Sequence, residues 1–127
     1  MHDIVEAITG LAERIKADER IARPVITDPR NLVTPCVMIE PPRLDNRDAV
    51  LCGRIKATFK ILVIGTPGTW IEFAPLAELL AQVLDVLEDD DAAEWTTAAF
   101  VSWVPPNDYM SSPDPAMAYQ ITCEVYV

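Results

Sequence analysis

The sequence predicts a single α+β domain with the element order α-β-β-α-β-β. Three observations carry this expectation. Two stretches repeat apolar residues at helical spacing, two later stretches alternate apolar and polar residues, and prolines and glycines punctuate the gaps between them. The expected architecture is a four-stranded, mostly antiparallel sheet with two helices packed on one face, spanning residues 1–127 as one domain.

The first helix is expected over residues 2–18. Ile4, Ile8, Leu11, Ala12 and Ile15 recur on one stripe, and Glu6, Glu13, Arg14 and Lys16 occupy the others. Residues 19–34 contain Pro24 and Pro29 and read as an irregular connection. A short apolar run, Cys36 to Glu40, is the first strand, stopped by Pro41 and Pro42. Residues 41–53 read as a long polar loop. The second strand is the clearest, with Ile55, Ala57, Phe59, Ile61 and Val63 alternating against Arg54, Lys56, Thr58 and Lys60. At Leu62 and Ile64 both faces become apolar, so a cover is expected on the second face at that end.

Gly65-Thr66-Pro67-Gly68 reads as a turn. Leu76, Leu79, Leu80, Val83, Leu84 and Leu87 then form the stripe of a second helix over 74–89, with Pro75 in its first turn. The third strand is expected over 94–104. Strict alternation would set Trp95, Thr97, Ala99, Val101 and Trp103 on one side. Its composition is too apolar for a solvated face, which points to an oligomer contact. A second long loop, 105–116, precedes a final strand over 117–127.

The 127 residues suffice for a core without disulfides or metal, and no apolar run reaches membrane-spanning length. The N-terminus carries an early acid and no basic region, which argues against a signal peptide. Cys36, Cys52 and Cys123 form no C-x-x-C pair and are expected to be reduced, with Cys123 a core hydrophobe.

Net charge is −10, and its distribution is uneven. Every Lys and Arg lies between Arg14 and Lys60, so residues 61–127 carry acids alone. Such asymmetry favours head-to-tail association, while an acidic surface that keeps the protein soluble is the plainer explanation.

Motifs for chemistry are missing. His2 is the lone histidine and sits at the terminus, so neither a Ser-His-Asp nor a zinc arrangement assembles. Gly65 to Gly68 lacks the Gly-Lys-Ser/Thr ending of a phosphate loop. Glu88, Asp89, Asp90 and Asp91 are adjacent, without the spacing of an EF-hand, and read as a solvated acidic surface. Glu72 and Glu78 alone do not define an acid–base pair. No catalytic residue, metal ligand or cofactor site is therefore expected, and the chain reads as a non-enzyme. Arg43, Asp45, Arg47, Asp48 and Arg54 form a mixed-sign set that suits an intersubunit contact. Asp108 and Tyr109 lie in the second long loop, where Tyr109 has no local apolar pattern to bury it and is a candidate interface anchor.

This order of elements, with a long loop between the first two strands, resembles the tail terminator proteins of long-tailed bacteriophages. The resemblance runs over nearly the whole chain and is one of topology and size. It implies a ring, usually of six subunits, that caps the finished tail tube, stops its polymerisation and joins the tail to the head. The implied partners are other copies of the chain, the tail tube protein and a head-completion protein. DNA would pass through the lumen without specific binding, and no cofactor or membrane would be involved. Glu88 to Asp91 become candidates for a lumenal acidic surface. The implied location is the tail–head junction of the virion, and the host cytoplasm during assembly. A small oligomeric α+β ligand-binding or sensor module is the alternative.

Overall fold

A computed structural model of the chain describes residues 3–27, 35–45, 55–67, 73–89, 93–103 and 116–127. The α+β class holds. Helix α1 (Ile4–Lys16) is followed by strands β1 (Val25–Ile26), β2 (Cys36–Ile39), β3 (Arg43–Asp45) and β4 (Lys56–Pro67). Helix α2 (Phe73–Glu88) and strands β5 (Ala93–Trp103) and β6 (Ala116–Tyr126) complete the described elements.

The sheet is six-stranded and mixed, which corrects the expected four strands. Its order is β1-β2-β4-β6-β5, with β3 also paired to β4. All pairs are antiparallel except β1 with β2. The two additional strands lie where irregular chain was expected. β1 falls within 19–34, entered through Pro24, whose carbonyl accepts a 2.9 Å bond from the Val37 amide. β3 falls within the expected loop 41–53. At two and three residues, both are too short for alternation to register. The proposed turn at Gly65 is also corrected, because β4 continues through Pro67 after a register irregularity. Gly65 is small for a local reason: a Cβ there would sit 3.2 Å from the Met117 carbonyl oxygen. The second long loop ends one residue early, since Ala116 belongs to β6.

Helix α1 starts where Asp3 caps it, accepting the Glu6 amide at 2.8 Å. It ends at Ala17, after which Asp18 folds back to accept the Arg20 amide at 2.9 Å. Its buried stripe is Leu11, Ala12 and Ile15. Helix α2 buries Leu76, Leu79, Val83 and Leu87. Pro75 falls within its first turn, where the missing N–H costs no helical bond.

Both helices cover one face of the sheet, as expected. Val37, Ala57, Phe59, Ile61, Val63, Ile121, Cys123 and Val125 meet the helical stripes in one continuous core. α1 lies on the β1 side of this layer and α2 lies over β4, β6 and β5.

The opposite face changes character along its length. At the Ile64 end, Cys36, Met38, Leu62, Ile64, Ala116 and Ala118 form a second buried cluster, with Ile26, Val101 and Trp103 packed against it. The burial of Leu62 and Ile64 agrees with the expectation that this end is covered, although every described member of the cluster is a strand residue of the sheet itself. At the other end, Lys56, Thr58, Lys60, Gln120, Thr122 and Glu124 leave the face wet.

The expected alternation of β5 fails at one point. Trp95 pairs with Cys123 and Thr97 with Thr122, so Thr96 is an extra residue, a β-bulge. Its hydroxyl donates to the Thr122 carbonyl at 3.4 Å. One inserted residue exchanges the faces of everything beyond it. Trp95 therefore joins the helix-side core, and Val101 and Trp103 join the opposite cluster.

Candidate functional site

The uneven charge of the sequence becomes a division across the sheet. The cations among the described residues sit on or beside α1, β1, β3 and the first half of β4. They are Arg14, Lys16, Arg20, Arg23, Arg43, Lys56 and Lys60. At the other side, α2, β6 and β5 carry Glu78, Asp85, Glu88, Asp89, Glu94 and Glu124, with no Lys or Arg. Asp3, Glu6, Glu13, Asp18, Glu19, Glu40 and Asp45 share the first side, so with the order β1-β2-β4-β6-β5 one sheet edge is flanked by charges of both signs and the opposite edge by acids alone among the described residues.

Arg43 and Asp45 were singled out by their mixed sign. β3 sets them opposite Thr58 and Lys56, so both point to the face away from the helices. There they join Lys56, Lys60, Glu124 and Glu94, which the sequence reading did not single out. Glu94 and Glu124 are direct cross-strand neighbours, a repulsive pairing. Lys56 offsets it, its Nζ lying 3.8 Å from Glu124 Oε1. The charged end of this face is thus a connected patch of both signs. The signal that finds it is register, which no single strand contains.

Glu88 ends α2 and Asp89 follows it; both are exposed. The Asp89 amide donates to the Asp85 carbonyl at 3.2 Å, so the acidic run begins as a direct extension of the helix. Arg47, Asp48, Arg54, Asp90, Asp91, Asp108 and Tyr109 lie outside the described residues, as does His2.

A polar clasp joins the two charge halves. Arg20 bonds Asp18 Oδ2 at 2.8 Å and Asp85 Oδ2 at 3.1 Å, tying the end of α1 to α2. The side-chain bond from Arg20 holds the Asp18 carboxyl below the ordinary aspartate range. Arg20 and Asp85 are exposed and Asp18 is partly so, so the clasp contributes little to stability.

The outer face of α1 carries a shallow open depression lined by Asp3, Val5, Glu6, Thr9, Gly10 and Glu13. Asp3, Glu6 and Glu13 are exposed, and the Asp3 carboxylate is engaged in capping the helix. No group of three or more His, Cys, Asp or Glu among the described residues is placed to hold a metal ion. Burial pushes the Cys36 thiol up to about 11, which makes it a packing residue and a poor nucleophile. Cys123 is buried in the main core, as its pattern predicts. No helix among the described residues is long and apolar enough to cross a membrane.

The described surface combines an edge of mixed charge, an edge with acids, and a sheet face graded from apolar to charged. Comparison with known protein families finds no match, and no curated protein matches the chain.

Proposed function

We propose that this chain is a structural subunit that assembles with copies of itself into a closed ring, as the tail terminators of long-tailed phages do. The observation that carries the reading is the lateral division of charge across the sheet. A subunit with charges of both signs beside one edge and acids alone beside the other can set cations of the first edge against acids of its neighbour's second edge, head to tail. Repeating one such contact generates a ring when the rotation closes.

The role in a tail follows from the same division. A ring that lets DNA pass must not hold it. A lumen lined by the acidic end of α2, Glu88 and Asp89, would repel phosphate. The proposed partners are the end of the tail tube on one side of the ring and a head-completion protein on the other.

Imaging the assembled protein by negative stain tests this reading. A closed ring with a hole wide enough for duplex DNA is expected. Replacing Arg23 and Arg43 with Glu removes cations from beside one edge and is expected to weaken ring formation at least tenfold, with the far-UV spectrum unchanged. Ring formation at wild-type concentration in that double variant would remove charge complementarity from the account. The alternative, a dimeric ligand-binding or sensor module, is favoured by one feature: among the described residues no strand pairs with the outer side of β5.

A further inference from the structure

The sheet is held unequally across its width. β4 pairs with β6 from Lys56 to Pro67, and β5 pairs with β6 from Ala93 to Trp103. β1 pairs with β2 only at Val25 and Ile26, and in parallel, the slightly weaker arrangement per residue. The bond from the Val37 amide to the Pro24 carbonyl extends this short ladder. Among the described residues, α1 packs chiefly on α2 and on β1. It buries Leu11, Ala12 and Ile15, and the chain after it adds Ile21 and Val25. Arg20 reaches Asp85 on α2 through groups that are both exposed.

We propose that residues 3–26, α1 with β1, form a strap that releases from the sheet as one unit while β2, β4, β6, β5 and α2 stay folded. Local opening concentrates where a short ladder and a narrow apolar stripe hold an element in place. The rest of the sheet is tied by long antiparallel ladders and by the core that α2 covers, so it opens at higher cost.

Release has two consequences for the surface. It uncovers the side of β2 that β1 occupies, and Cys36–Ile39 carries no charge and no proline, the devices that keep an edge from accepting another strand. It also carries Arg14, Lys16, Arg20 and Arg23 away from the sheet. The strap therefore governs both a pairing edge and the cations beside it. Its release is a property of the fold and does not depend on the proposed ring.

Hydrogen exchange of the full chain, read by NMR, tests it at two adjacent amides. Val37 donates to Pro24 beside β1, whereas Glu40 donates to the Lys60 carbonyl on β4 at 3.0 Å. Amides along a strand alternate sides, so Met38 donates towards β4 as Glu40 does. Val37 and Met38 are both buried, so water access in the closed state does not separate them. Val37 is expected to be protected about tenfold less than Met38 and Ile61, or weaker still, and to group with Ile15 of α1. Ile121→Val then distinguishes the two openings, because Ile121 lies on β6, separated from β1 by β2 and β4. It is expected to speed exchange at Met38 and Ile61 about twofold to tenfold and to leave Val37 and Ile15 unchanged. Equal protection of Val37 and Met38 overturns the proposal. Equal acceleration of all four amides in Ile121→Val also overturns it, because every opening then includes the sheet.

Discussion

Replacing Ile64 with Ala tests whether the sheet face away from the helices is closed at one end. Ile64 is fully buried, within a cluster of Cys36, Met38, Leu62, Ala116 and Ala118. Removing its outer carbons loses their transfer free energy and leaves a cavity that strands on both sides hold open. The cost is ~2–4 kcal/mol, in the range for large-to-small substitutions of buried aliphatic residues. For a domain of this length that is a fall in melting temperature of roughly 8–15 °C. Lys60 is the internal control: it shares the same face of β4 two steps along the wet half and is exposed. Lys60→Ala is expected within about 0.5 kcal/mol of wild type. The assay is urea unfolding monitored by tryptophan fluorescence and circular dichroism, at matched protein concentration so that self-association contributes equally. A loss at Ile64 no larger than that at Lys60 would show an open face from end to end and refute the closed cluster.

The remaining predictions concern buried positions. In the native protein Cys36 and Cys123 resist a thiol reagent at pH 8 and become reactive in denaturant; rapid native modification of either would contradict their burial. Burial pushes the Cys36 thiol up to about 11 from an ordinary value of 9.0, so it stabilises the fold fully below pH 9. That contribution is lost as pH rises from 9 towards 11, and Cys36→Ala is expected to flatten this alkaline limb of a stability–pH curve. Gly65→Val forces a branched side chain against the Met117 carbonyl and Leu76, and is expected to cost ~1–3 kcal/mol by chemical denaturation. An unchanged midpoint would mean that β6 moves aside freely.

The parts of this fold legible in the sequence are those whose pattern is longer than one period. The stripes of α1 and α2 and the alternation of β4 each repeat often enough to fix both element and buried face. β1 and β3 escape because two and three residues cannot display alternation, and their pairing depends on β2 and β4. The bulge at Thr96 escapes for a different reason. Thr96 and Thr97 are alike in composition, and only the register against Thr122 shows that one is inserted. That single residue separates Trp95 from Trp103, which strict alternation would put together.

The candidate site was legible as a charge division and not as a set of contacts. The sequence places every cation before residue 61, and the strand order then turns that division into two edges. The grouping of Arg43 and Asp45 with Lys56 and Glu124 depends on pairing across three strands, which composition does not encode.

The central claim is that copies of this chain recognise one another through their surfaces. Native mass spectrometry across a concentration and salt series tests it most directly. The account predicts a discrete closed oligomer larger than a dimer, weakening as salt screens the complementary edges. A particle that remains monomeric at every concentration would contradict self-assembly altogether. One that stops at a dimer would contradict the ring.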